Sequence, residues 1–178
     1  MAWPNAATAL AALAVAGIAC SSQGSRCVEV PLTPQARATL AVESPRVGFI
    51  PLPPCAAGRG FTVASVFVDA LPGTPPGQRI SFIVERNGEP SYVLSETRAA
   101  VTSTQIPQGT RRLRVTSNSA VADGFIGMSE GGGEMAYLRW REGGVTYELD
   151  ATLGRGLDEA DVRQIAAALM RRAPDVSP

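Results

Sequence analysis

The chain contains no histidine and no lysine, so all 16 of its basic residues are arginine. Without imidazole there is no Ser-His-Asp or Cys-His machinery, no histidine metal ligand and no unperturbed side chain that titrates near neutrality. Without lysine there is no Schiff base, no Ser-Lys dyad and no P-loop ammonium. The 16 acidic residues balance the arginines, which leaves no global field to steer the molecule onto nucleic acid or anionic lipid. No nucleic-acid partner, cofactor or metal is therefore expected. Carboxylate chemistry and an arginine-based anion site stay open.

An apolar run from Ala6 to Ala19 stops at Cys20 and gives way to Ser21-Ser22-Gln23-Gly24-Ser25. About 14 small residues are too few to cross the hydrocarbon core comfortably, yet they suit the apolar region of a secretory signal. The n-region, Met1 to Asn5, carries neither Arg nor Lys, and a start upstream of Met1 would account for that. Ala16-Gly17-Ile18-Ala19-Cys20 resembles the lipobox of bacterial lipoproteins, with Gly17 where leucine is commoner. The resemblance implies a signal over 1–19, a lipid such as palmitate on Cys20 as the first mature residue, and a protein held on the extracytoplasmic side of a membrane. A plain signal cut after Ala19 and an uncleaved apolar tail are the alternatives.

Three cysteines become an even pair once Cys20 carries lipid, and export permits Cys27 and Cys55 to form a disulfide. That bridge closes a loop of roughly thirty residues, worth about 3.5 kcal/mol on the chain-entropy estimate. Two free thiols are the other reading. The expected layout is a polar tether over 20–29, one domain over 30–172 and a disordered tail over 173–178. A mature chain of about 160 residues is long enough to bury a sizeable core.

Thr33 as N-cap and Pro34 at the first helical position predict a short helix through Val42, ending near Ser44-Pro45. Pro51, Pro53 and Pro54 then make Val47 to Cys55 an extended segment, an edge or a surface wrap. Phe61 to Val68 reads as a strand, followed by the breaker cluster Leu71 to Gly77. Gln78 to Arg86 and Pro90 to Ser95 form a hairpin about Asn87-Gly88. Val101 to Ile106, Arg112 to Ser117 and Phe125 to Met128 are weaker strand candidates.

In the last third, Ala136, Leu138 and Trp140 share one strand face, and Val145, Tyr147 and Leu149 alternate on the partner beyond Glu142-Gly143-Gly144. Asp158, supported by Asp161, caps a helix whose Val162, Ile165, Ala166 and Leu169 form one apolar stripe. Arg171 and Arg172 suit the negative end of that helix. The fold class expected is α+β: an antiparallel sheet of about six to eight strands packed by the C-terminal helix, with a short N-terminal helix. The Pro-rich segment, the hairpin Tyr137-Leu138-Arg139-Trp140 with Thr146-Tyr147-Glu148-Leu149, and the closing helix Asp161 to Leu169 together resemble a bacterial extracytoplasmic domain. That domain, of unknown function, occurs in envelope lipoproteins and in anti-sigma and sporulation-associated membrane proteins. The likeness covers Gln35 to Met170. It implies a folded domain outside the membrane and carries over no catalytic residue.

Several local features bear on chemistry. Gly154-Arg155-Gly156 has the look of a phosphate-binding turn, but the third glycine is missing, and a plain strand-to-helix connection explains it better. Ser129-Glu130-Gly131-Gly132-Gly133-Glu134 could cradle an anion with backbone amides, or simply be a loop. Glu148 and Asp150 share a strand face, as paired acid and base or hard-metal ligands would require, yet a solvated outer face is the simpler expectation. Arg111, Arg112, Arg114, Arg139 and Arg141 would gather into an anion-binding patch if their strands are neighbours. Trp140 and Tyr147 read as a core pair rather than a ligand-stacking one. The function expected is a membrane-anchored binding or interaction module of the cell envelope, its partner an envelope protein or an apolar ligand. A lipid carrier with a sheet–helix cavity and a carboxylate-dependent hydrolase are the alternatives.

Overall fold

A computed structural model describes residues 28–56, 58–72, 77–99, 106–117, 119–154 and 156–172. The signal-like stretch, Cys20, Cys27, Arg155 and the 173–178 tail lie outside the described residues, as do 73–76 of the breaker cluster and 101–105 of one expected strand. Seven strands form an antiparallel sheet: β3 (Phe61–Leu71), β4 (Gly77–Arg86), β5 (Glu89–Thr97), β6 (Arg111–Ser117), β7 (Ala120–Met128), β8 (Glu134–Glu142) and β9 (Val145–Thr152). Their spatial order is β3-β4-β5-β9-β8-β7-β6. Two local meanders, β3 to β5 and β6 to β9, are thus joined by the pairing of β5 with β9. Strands β1 (Val28–Glu29) and β2 (Cys55–Ala56) make a separate two-stranded ribbon, so the last two residues of the expected tether already belong to the fold. With helices α1 (Pro34–Val47) and α2 (Glu159–Arg172), the architecture is α+β.

The turns follow local chemistry. Asn87 and Gly88 both take positive φ, at 54° and 85°, the mirror-image turn that matches strand twist and that Asn-Gly favours. Helix α2 opens with a reciprocal box: Asp161 N donates to Asp158 Oδ1 at 2.8 Å, and Asp158 N donates to Asp161 Oδ2 at 3.1 Å. Its stripe of Val162, Ile165, Ala166 and Leu169 is buried against the inner face of the sheet. A single register row across that face runs Phe82, Leu94, Leu149, Leu138, Gly124, Leu113. The alternation of each strand delivers these side chains to one side, and burial of a large apolar side chain is worth about 1.5–3 kcal/mol. No described helix is long and apolar enough to cross a membrane.

Four expectations change. Helix α1 runs through Pro45 to Val47, because the proline sits in the last turn and costs one hydrogen bond, while Gly48 at φ 72° closes the helix. Burial of Val47 and Phe49 holds that extra turn in place. The Pro-rich segment is extended only beyond Val47, which ends α1, and it reaches the β1–β2 ribbon at Cys55; it is no mere surface wrap, because Leu52, Cys55 and Ala56 are buried although Ile50 is exposed. Strand β7 begins at Ala120 rather than Phe125. Asp123 and Gly124 hide its alternation, and Gly124 is there because a Cβ would fall 1.8 Å from Tyr137 O. Ile106 belongs to no strand.

Both ends of the sheet are partly closed. On β3, Val63 N donates to Pro31 O at 2.9 Å and Thr33 N donates to Val63 O at 3.1 Å. On β6, the carbonyl of Arg114 accepts from Arg163 Nη1 of α2 at 2.7 Å, and Ser117 Oγ donates to Ala167 O at 3.0 Å.

Candidate functional site on the outer face of the sheet

The side of the sheet opposite the hydrophobic core carries the chemistry. There, cross-strand register sets Ser81, Ser95, Glu148, Arg139, Asp123 and Arg114 in one row. Glu148 is the hub. Its Oε1 accepts from Tyr137 Oη at 2.9 Å and from Arg139 Nε and Nη2 at 2.9 and 2.6 Å. Arg79 stands 4.0 Å from its other oxygen and is itself held by Asp69 through two bonds of 3.2 and 2.7 Å. The hydrogen bond that Arg79 donates to Asp69 raises the Arg79 pKa further. Phe125 and Tyr137 stack at 5.4 Å, with the Arg139 guanidinium 5.7 Å from the Tyr137 ring centre.

Asp150 lies one row from Glu148 and differs from it in kind. Among the described residues it accepts no hydrogen bond, and burial, then the Glu148 charge, pushes its carboxyl up to about 6. It lines a pocket of about 210 Å3 with Ile83, Ser91, Val93, Met135 and Thr152. Ser91 is the extra residue where the β4–β5 register shifts between Val84 and Glu85. Its hydroxyl is buried, and among the described residues it has no hydrogen-bond partner. Buried polar groups are nearly always paired, so the orphan Ser91 hydroxyl stands out, beside a half-buried Asp150 carboxylate that accepts no side-chain hydrogen bond among the described residues.

The carboxylates expected on a solvated outer face are on that face but half-buried. Tyr137, Arg139, Val93 and Ile83 on neighbouring strands shield them, which the alternation of one strand cannot reveal. The five arginines do not converge. Arg112 and Arg114 share Asp123 at 3.1 and 3.6 Å, Arg139 belongs to Glu148, and Arg141 Nη2 donates to Gly144 O at 3.4 Å. Arg111, on the other side of β6, pairs with Glu159 of α2 at 2.6 Å. Glu159 also meets Arg163, and the two guanidiniums hold its carboxyl down at about 2. Every one of the five is already engaged by an acceptor, Arg112 and Arg114 by the same Asp123, so no pooled anion site results.

The glycine loop is likewise committed: Gly132 N donates to Ser129 O and Gly133 N to Ser129 Oγ, at 2.9 and 3.2 Å. Gly154 N donates to Leu157 O at 2.9 Å, closing the strand-to-helix connection on itself. Trp140 and Tyr147 stack in the core with centroids 5.2 Å apart.

Glu96 escapes sequence reasoning. It is fully buried on the inner face of the sheet, opposite Ile80 on β4 and Tyr147 on β9. Both carboxylate oxygens accept from Leu52 N, at 3.1 and 2.9 Å. Burial drives the group up to about 8, and the Leu52 hydrogen bond offsets only part of that. The signal was present, since Tyr92, Leu94 and Glu96 share one face. Ending the strand at Ser95 hides it.

Comparison with protein-family models, with curated proteins and with solved structures gives no match. The site therefore has to be read from its own chemistry.

Proposed function

We propose that this chain is a lipid-anchored binding module of the bacterial cell envelope, attached through Cys20 and presenting the outer face of its sheet for recognition. The observation that carries the binding half is the outer face itself. Neither helix packs on it, yet it holds an ordered ionic cluster around Glu148, an aromatic pair and a pocket with two unpartnered polar groups. Buried polar order of this kind is costly to build and suits recognition. The lipobox-like Ala16 to Cys20 supports the anchor. A Cys27–Cys55 disulfide belongs to the same proposal, supported by the even pair that remains once Cys20 carries lipid and by Cys55 being buried on β2.

The anchor and the bridge share one experiment. Intact mass of the membrane-extracted chain is expected to show an acylated species starting at Cys20, with the mass deficit of one disulfide, and Cys20→Ala should release the domain from membranes. A soluble, unmodified wild type would overturn the anchor, and two alkylatable thiols would overturn the bridge.

The carboxylate-hydrolase alternative keeps one favourable observation, the raised Asp150 beside Glu148, which is paired with Arg139. Binding ranks above it because Glu148 is occupied by Tyr137 and Arg139 and is not free to act as a base.

A further inference from the structure

We propose that the pocket around Asp150 and Ser91 binds a small organic cation, an alkylammonium group whose N–H donors meet the Asp150 carboxylate while its chain lies on Ile83, Val93 and Met135. The proposal rests on the outer face being the recognition surface and names the class of ligand. Register brings the parts together: Val93 pairs with Asp150 on the neighbouring strand, and Met135 pairs with Thr152. Ser91 and Val93, two residues apart on β5, line the pocket from the same strand.

The choice of cation follows from what is and is not satisfied. Asp150 has no donor, although Arg79 and Arg139 are near enough to act on it through charge. Both guanidiniums are already engaged, by Asp69 and by Glu148. A ligand that brings its own N–H donors supplies what the protein withholds, and a charge-assisted bond in a half-buried site is the strong kind. Hard metal ions take six or more oxygens, and among the described residues no group of three or more His, Cys, Asp or Glu side chains converges on a metal position. An anion would meet Asp150, Glu148 and the nearby Glu134. The volume of about 210 Å3 and the wall of Ile83, Val93 and Met135 favour a short apolar chain. The Ser91 hydroxyl, buried and without a partner among the described residues, belongs to the same wall.

The test titrates the isotope-labelled full chain with butylammonium at pH 7.5, following backbone amide shifts, with n-butanol and butyrate as controls of similar shape. Saturable shifts centred on Val93, Met135 and Asp150 are expected for the cation alone, weakened at least tenfold in Asp150→Asn. That variant replaces a half-buried carboxylate that accepts no side-chain hydrogen bond among the described residues, and should fold. The wild-type affinity should also fall as pH drops below about 6, where Asp150 takes up a proton, and this readout needs no variant. An equal response to butanol, an undiminished response in Asp150→Asn, or an affinity flat from pH 7.5 to 5 would overturn the proposal. None of these outcomes touches the anchor, whose failure appears only in the mass and fractionation experiment.

Discussion

Replacing Glu96 with glutamine should stabilise the protein at alkaline pH and leave it nearly unchanged in acid. In the fold Glu96 is sealed among Ile80, Tyr147 and the Leu52 amide, and holds its proton to about pH 8 against a usual value of 4.5. The unfolded chain has released that proton well before neutrality. Between the two values the native state therefore binds more protons than the unfolded state, and stability falls as pH rises. Each unit in that window costs up to about 1.4 kcal/mol, so from pH 5 to 8 the loss attributable to Glu96 is about 3 kcal/mol. Glutamine cannot ionise, and its amide oxygen can still accept from Leu52 N. Asp150 also titrates upward-shifted, which is why the quantity to plot is the difference between variant and wild type, where its contribution cancels. Urea unfolding at half-unit intervals from pH 5 to 8 provides it. The difference should grow by about 3 kcal/mol in favour of Glu96→Gln across this range. A flat difference curve would refute a protonated Glu96, and with it the description of the Leu52 contact as a bond to a neutral carboxyl.

Two further outcomes test the scaffold. Gly124→Ala should cost about 3 kcal/mol or more in thermal or urea unfolding, because its Cβ would fall 1.8 Å from Tyr137 O and the β7–β8 pair must spread. Asp158→Ala should cost about 1 kcal/mol through loss of the cap to Asp161 N, and native-state hydrogen exchange should show the first turn of α2 opening before the rest of the domain.

What could be read from sequence were the features that depend on neighbours along the chain. The Asn87-Gly88 turn, the capping box at Asp158, the stripe from Val162 to Leu169 and the last hairpin all rest on spacing of two, three or four residues. What could not be read depends on partners far away in sequence. Glu148 looked like one of two carboxylates facing water until Tyr137 and Arg139 closed on it from β8 and Arg79 approached from β4. The arginines would pool only if their strands were neighbours. The strands from Arg111 to Arg141 are neighbours, but alternation puts Arg111 on the side opposite Arg112 and Arg114, and all five are engaged by carboxylates or a carbonyl. Pro45 misled in the other direction, since a proline-based stop is blind to the burial of Val47 and Phe49 just beyond it.

The closures at the two ends of the sheet bear on how a partner can approach. Strand addition, one common way for a sheet to capture a peptide, needs a run of free amides and carbonyls along an outer strand. Here Arg163 occupies the Arg114 carbonyl of β6, and the chain around Pro31 and Thr33 occupies Val63 of β3. The exposed side chains of Arg112 and Arg114 add charge to the β6 edge, which further discourages a second sheet from docking there. A visitor is thereby directed away from backbone pairing and onto side chains, where selectivity rests on individual residues rather than on a shared main chain.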